Sequence, residues 1–271
     1  MQIKDHSILN MRYIKIIPLI LFAAALCQRS YTQTNSNNNA PVDKIILVSG
    51  SMSNDPQFIK YVAGLTKKAN PKICYVPTAG ADNPYGIAAW YGNCTELPVH
   101  PYVLRTFLNS NPSQMTFEEM ILSMDAIIVG GGSTLNMIAI WKAQGIDTVL
   151  KKAYDKGIIL AGGSAGSLCW FLGGYSDSRP KQLSIVNGLG FLNFSHCPHY
   201  HSEPSRKPLY FQAILDGKLK PGYACDDQAA LLFVNGELKK SLSMNDKNNN
   251  YFISLENGKI KEELLPAELM K

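Results

Sequence analysis

Two rhythms of apolar and polar residues alternate along this chain from about residue 41 to residue 165. Short unbroken apolar runs, Ile45-Ile46-Leu47-Val48, Ile73-Cys74-Tyr75-Val76, Ala126-Ile127-Ile128-Val129 and Ile158-Ile159-Leu160-Ala161, each lead into small or turn-forming residues. Runs of that length predict strands buried on both faces. Between them, apolar residues recur at helical spacing. Phe58, Tyr61, Val62 and Leu65 mark a helix over 56–68, and a second helical stretch reaches about Tyr91. A third spans about 116–123, and a long one runs from Leu135 to Lys156 with Gly145 as its break. An extended piece lies near Pro101–Leu104. Strands alternating with helices predict a mostly parallel α/β sheet whose functional edge lies at the strand C-termini.

Past residue 164 the pattern changes. Leu168-Cys169-Trp170-Phe171-Leu172 reads as an apolar, helix-like stretch with Trp170 and Phe171 as packing residues, as is Trp141 in the long helix. The last fifty residues carry short strand patterns at 229–234, 238–242 and 251–255. They are joined by Asn235-Gly236 and an Asn-rich turn, and Asn257-Gly258 follows before Lys259-Ile260. This predicts a C-terminal antiparallel hairpin extension on the same domain.

The first forty residues form a separate object. Arg12 and Lys15 precede the apolar stretch Ile16–Leu26, and the polar tract Thr32–Asn39 follows. Basic, apolar, small and polar segments in that order read as a secretory signal, too short in its apolar part to span a bilayer. Residues 1–40 are therefore expected to be a signal peptide and polar linker, and 41–271 the folded domain. The expected location is extracytoplasmic, periplasmic or secreted, with a cytoplasmic protein bearing an N-terminal helix as the alternative. Cys27 follows Ala24-Ala25-Leu26, an imperfect lipoprotein box with a bulky leucine at its last position, so a lipid anchor at Cys27 competes with a conventional cut nearby.

Charge and cysteine content narrow the class. The chain is 46% hydrophobic and 17% charged, with a net charge of +5. The N-terminal forty residues supply +3 of that, leaving +2 for the remainder. No basic block interleaved with aromatics follows, which argues against nucleic acid as a partner. The six cysteines show no C-x-x-C pair and no zinc-like spacing with histidine, so they give neither a metal site nor a disulfide scaffold. Cys74, Cys169 and Cys197 lie in apolar contexts and read as buried small hydrophobes.

The chemistry concentrates at Gly162-Gly163-Ser164-Ala165-Gly166, reached directly from a buried strand. A serine among small residues at a strand-to-helix turn reads as a nucleophile elbow, and free N–H groups at the following helix start favour negative charge. A glycine-rich turn without chemistry is the plain alternative. Serine chemistry needs a base, a group that orients the base, and donors for an oxyanion. Downstream histidines cluster in Ser195-His196-Cys197-Pro198-His199-Tyr200-His201, and Asp177 follows Ser164 closely. Gly130-Gly131-Gly132 ends the preceding strand, so its N–H groups should lie beside those that follow Ser164. Three histidines in six residues could instead bind a metal, but no third ligand has fitting spacing.

Four segments give the chain a family resemblance: Gly130–Leu135, Gly163-Ser164-Ala165-Gly166, Pro198-His199-Tyr200, and Ala224-Cys225-Asp226-Asp227-Gln228-Ala229-Ala230-Leu231. Together, and in this order, they resemble the dipeptidase E (aspartyl dipeptidase) and cyanophycinase family of serine peptidases from about Lys44 to Leu242. The resemblance implies a flavodoxin-like three-layer α/β sandwich similar to class I glutamine amidotransferases. It also implies hydrolysis of small peptides, with dipeptides bearing an N-terminal aspartate or β-aspartyl peptides as substrates, and no cofactor. Carried across, it makes Ser164 the nucleophile and His199 the base, with the N–H groups of Gly132 and Ala165 as the oxyanion hole and Asp177 as the third member. His201-Ser202-Glu203 reproduces the amidotransferase H-x-E pattern and offers a competing base and carboxylate. Asp226-Asp227 reads as a turn-capping pair. Arg179, Lys181, Arg206 and Lys207 are the basic residues available to recognise a substrate carboxylate, each with an exposed, solvated charge as its ordinary alternative. The rival from another class is a catalytically inactive extracytoplasmic binding protein.

Overall fold

The unbroken apolar runs form the centre of the main sheet. The computed structural model describes residues 42–271, so the signal segment, its linker and Cys27 lie outside the described residues. Strands β1 (Ile45–Ser49), β2 (Lys72–Val76), β3 (His100–Val103), β4 (Ala126–Val129) and β5 (Ile159–Gly163) run parallel. They are linked through helices α1 (Pro56–Leu65), α2 (Pro84–Cys94), α3 (Phe117–Leu122), α4 (Thr134–Gln144) and α5 (Ile146–Asp155). Local chemistry sets the helix ends. The Asp55 side chain accepts the Gln57 N–H ahead of Pro56 in the first turn of α1, and Ser133 accepts the Asn136 N–H at the start of α4. Gly145, at φ 73°, divides the long apolar segment into α4 and α5.

Alternate strand residues feed opposite layers. Leu47, Ile73, Tyr75 and Ile128 pack with Phe58, Ile59 and Val62 of α1 and Trp90 of α2. Ile46, Val48, Ile127, Val129 and Leu160 pack the other way, against Trp141 of α4 and Leu150 of α5, with Trp170 and Phe171 beyond them. Trp141, Trp170 and Phe171 are completely buried, as their core spacing predicts. The cysteines among the described residues are buried free thiols, and burial pushes Cys74 and Cys197 up to about 12.

After β5 comes the one-turn helix α6 (Ala165–Leu168), then β6 (Phe171–Ser176), β7 (Ser184–Asn187), β8 (Leu192–Cys197), α7 (Arg206–Leu215) and β9 (Gly222–Cys225). The chain closes with β10 (Ala229–Val234), β11 (Glu237–Ser243), β12 (Asn250–Glu256), β13 (Lys259–Leu265) and β14 (Glu268–Leu269). The main sheet has the order β14-β11-β10-β1-β5-β4-β2-β3, and a second sheet has the order β13-β12-β9-β8-β6-β7. The architecture is the expected α/β sandwich with a mostly parallel main sheet, and two features differ from the sequence reading. The run at 168–172 is not a continuous helix: only Leu168 belongs to α6, and Phe171 and Leu172 belong to β6. The chain leaves α6 at Leu168 and enters β6 at Phe171, because a five-residue apolar run fits a strand as well as a helix and ladder partners on β7 and β8 decide it. The C-terminal strands also divide. The β10–β11 hairpin joins the main sheet antiparallel to β1, whereas β12 and β13 join the second sheet beside β9. Helix α7 then covers the second sheet through Tyr210, Ala213 and Ile214.

Candidate active site

The end of β5 delivers Ser164 in a conformation a serine rarely adopts. Its φ of 56° and ψ of −120° place it in the positive-φ region, immediately before α6 begins. Such backbone persists only where the surroundings over-determine it. Here the Ser164 N–H donates to Gly50 O at 2.8 Å, and Ser164 O accepts the N–H groups of Ser167 and Leu168, each at 3.0 Å. A Cβ on Gly162 would overlap the Gly166 carbonyl, and one on Gly166 would overlap the Val129 carbonyl. These glycines let α6 press onto the ends of β4 and β5, so the turn is as sharp as a nucleophile elbow requires.

Three segments distant in sequence meet at the serine. His199 Nε2 lies 2.8 Å from Ser164 Oγ, and His199 Nδ1 lies 2.6 Å from Asp227 Oδ1. An ionised carboxylate only accepts, so Nδ1 carries the ring proton and the bare Nε2 accepts the Ser164 O–H. Topology explains the meeting. β5 and β10 both pair with β1, placing Gly163 and Ala230 opposite Ser49 on its two sides. The turn before β10 therefore arrives beside Ser164, fastened by the Ser51 N–H donating to Asp227 O at 2.9 Å. In the second sheet β8 runs parallel to β9, and the Tyr200 N–H donates to Cys225 O at 3.1 Å. Residues 226–228 join the two sheets, and they bring the loop holding His199 to the loop holding Asp227.

Asp177 does not reach this cluster. It is exposed past the end of β6, beside Arg179, Lys181 and Ser205, because the short α6 turns the chain into the second sheet and carries 177 away from the elbow. Glu203 is equally engaged elsewhere, 2.7 Å from Arg206 Nε, while His201 Nδ1 pairs with Asp226 at 2.8 Å. The turn-capping reading holds for one aspartate of the adjacent pair. Asp226 is buried and its other oxygen accepts the Asn249 N–H, whereas Asp227 faces His199. The signal for Asp227 was present in Asp226-Asp227-Gln228-Ala229-Ala230, but the pairing of β10 with β1 that gives it meaning is a long-range contact.

The glycine turn after β4 lies against the serine, since a Cβ on Gly131 would stand 3.2 Å from Ser164 Cβ. Gly132 has φ 132°, and a Cβ there would overlap the Ala79 carbonyl. Among the described residues, the N–H groups of Gly131, Gly132 and Ala165 have no backbone acceptor, which leaves them available to an anion. Of the basic residues, Arg206 is buried and bonded to Glu203 and the Tyr175 carbonyl, and Lys207 pairs with Glu262. Arg179 donates to Ser184 Oγ at 2.7 Å, and Lys181 shares the cleft with Asp177.

His196 serves the elbow from behind. Completely buried and stacked on Phe171 at 4.4 Å, it is held neutral, its pKa lowered to about 3 by burial. Nδ1–H donates to the Tyr223 carbonyl, so Nε2 is free to accept the Ser167 hydroxyl, 3.0 Å away in the turn that follows Ser164. The three clustered histidines thus turn Nδ1 to three different acceptors. Among the described residues no group of three His, Cys, Asp or Glu side chains is arranged to hold a metal ion.

A strained elbow serine bonded to an imidazole, itself bonded to a carboxylate, on a parallel α/β sheet defines a hydrolase of the serine type. The model of peptidase family S51 matches residues 45–241, and the chain belongs to that family of serine peptidases. It is 35% identical over 229 residues to the uncharacterized peptidase YgaJ of Bacillus subtilis (strain 168), covering 83% of this chain and 98% of that one. Two solved structures share the fold. A peptidase from an acI-B1 Actinobacterium matches with a TM-score of 0.63 at 15% identity, over 84% of this chain and 96% of that one. A putative peptidase E protein from Listeria monocytogenes EGD-e matches with a TM-score of 0.56 at 18% identity, over 75% and 100%.

Proposed function

We propose that this serine peptidase hydrolyses small peptides through an acyl-enzyme, with Ser164 as nucleophile, His199 as general base and acid, and Asp227 as the carboxylate that orients His199. The observation behind this reading is the unbroken sequence of contacts from Ser164 Oγ to His199 at 2.8 Å and on to Asp227 at 2.6 Å. Ser164 Oγ attacks the scissile carbonyl carbon while its proton passes to His199 Nε2. The carbonyl π pair moves onto oxygen, and the N–H groups of Gly132 and Ala165 receive that charge, each worth roughly 3 kcal/mol by analogy with other acyl-transfer sites. Collapse of the tetrahedral species breaks the C–N bond, and the imidazolium gives its proton to the leaving amine. Water, activated by His199, then releases the acid and frees Ser164.

Dipeptides with an N-terminal aspartate are the first substrates to test, with β-aspartyl peptides as the second class. A fluorophosphonate probe should label the wild-type protein and not Ser164→Ala. A folded wild type that takes no label would instead favour a binding protein. Turnover of Asp-X over Glu-X and Ala-X supports the aspartyl reading, and turnover of β-linked peptides alone moves the assignment to the second class. The N-terminal segment is proposed to direct export. Recovery of the cell-derived protein with residues 1–26 intact would refute that.

A further inference from the structure

Beside the catalytic cluster the chain holds two consecutive non-glycine residues in the left-handed region, Ala81 at φ 56° and Asp82 at φ 53°. Strain of this kind is retained where neighbours fix it. The Asp82 carboxylate supplies that fixing. Its Oδ2 accepts the Thr106 N–H at 2.5 Å and the Phe107 N–H at 2.7 Å, tying the loop after β2 to the loop after β3. The Thr106 hydroxyl is buried and lies 3.3 Å from the buried Thr78 Oγ1, which also accepts the Trp141 Nε1–H at 3.2 Å. Thr78 opens the tight turn Thr78–Gly80.

That turn is the seat of the glycine loop beside Ser164. Ala79 O accepts the Ser133 N–H at 2.8 Å, and the Gly130 N–H donates to Val76 O at 3.1 Å. Gly132 lies so close to the Ala79 carbonyl that a Cβ would overlap it. A continuous set of contacts therefore runs from Asp82 through Thr106 and Thr78 to Ala79, and from Ala79 to Gly132 and Ser133. We infer that Asp82 is a positioning residue for the oxyanion side of the site, holding the 78–80 turn so that the Gly132 N–H stays aimed beside Ser164. The inference rests on the oxyanion role proposed above for Gly132. A plain loop staple would secure residues 105–107 and leave the glycine turn indifferent to Asp82.

The test uses the full chain with Asp82→Ala and Asp82→Asn. Asp82→Ala should lower kcat by about tenfold or more while KM stays within about twofold, since only the transition state loads the oxyanion donors. A peptide aldehyde reports the same property. Ser164 Oγ adds to its carbonyl carbon, the π pair moves to oxygen, and the hydroxyl proton goes to His199. Its affinity should fall by the same factor as kcat/KM. Asp82→Asn, which keeps one acceptor oxygen, should recover part of both.

A second readout needs no turnover. In amide exchange, the Ser133 N–H should lose protection in Asp82→Ala while β4 keeps its own. Unchanged Ser133 exchange, or an effect confined to KM, overturns the inference. A wild type without Ser164-dependent labelling, but with the exchange response intact, would defeat the proposed function and with it the oxyanion role, and would leave only the coupling of Asp82 to the glycine turn. Should Asp82→Ala fail to fold, Asp82→Asn and Thr106→Val carry the same two measurements.

Discussion

Two histidine–aspartate pairs sit side by side on the loops that follow β8 and β9, and they are built in opposite senses. In His199–Asp227 the imidazole is the more buried partner, 18% exposed against 37% for the carboxylate, and its far nitrogen lies on Ser164. In His201–Asp226 the carboxylate is buried, 8% exposed against 45%, and serves the Asn249 N–H as well as the ring. Similar residues two positions apart thus do different work. One pair holds its imidazole against Ser164, the arrangement the proposed mechanism uses, while the other fastens the β9–β10 turn to the loop before β12.

The largest expected effect separates these roles directly. Asp227→Ala should lower kcat by about 10³–10⁴, as removal of a triad carboxylate does elsewhere, because His199 loses both its tautomer and its orientation. Stability should change little, since Asp227 is more than a third exposed. Asp226→Ala should do the reverse. Loss of the buried carboxylate strands the Asn249 N–H and should cost about 1–3 kcal/mol in denaturant unfolding, with kcat within a fewfold of wild type. A catalytic collapse in Asp226→Ala with an active Asp227→Ala would invert the comparison.

The contrast also explains what the sequence disclosed. Strands β1, β2, β4 and β5, the elbow at Ser164 and the glycine turn at 130–132 were all legible, because each is a local pattern. A buried parallel strand is a continuous apolar run, and a sharp turn needs small residues. His199 was legible only within Pro198-His199-Tyr200, through resemblance. Asp227 was not, because its place depends on β10 pairing with β1, a contact nearly two hundred residues away in sequence (Ser49 opposite Ala230). The resemblance points to Asp177 instead, as the aspartate that follows Ser164 closely in sequence. Only the one-turn α6 separates Ser164 from β6, which starts at Phe171, and the carboxylate bonded to His199 comes from Asp227, in the turn before β10.

The third histidine sharpens the comparison through pH. His196 has its pKa lowered from 6.5 to about 3, so the native state holds it neutral while the unfolded chain protonates it. The unfolded state binds more protons below pH 6.5. This group's contribution to stability is therefore complete above that pH and is lost as pH falls toward about 3. The slope approaches about 1.4 kcal/mol per pH unit within that window. His196→Gln, though less stable at neutral pH, should show a shallower loss between pH 6 and pH 4 than wild type, measured by denaturant unfolding at each pH. Equal slopes would mean that the ring is not held neutral by burial.

The smallest expected effect falls on Asp177. Its side chain is exposed and lies beside Arg179 and Lys181 in a cleft open to solvent, with no contact to His199. A surface substitution away from caps, cores and buried pairs changes stability by about half a kcal/mol or less. Asp177→Ala should accordingly leave unfolding and kcat near wild type, and KM should rise only if Arg179 or Lys181 meets a substrate carboxylate from that cleft. A shared KM effect in Asp177→Ala and Lys181→Ala would place substrate recognition on the loop after β6, which is bonded to the start of α4 through Ser178 and Leu135. A loss of kcat in Asp177→Ala comparable to that of Asp227→Ala would instead mean that the loop after β6 moves toward His199 during turnover.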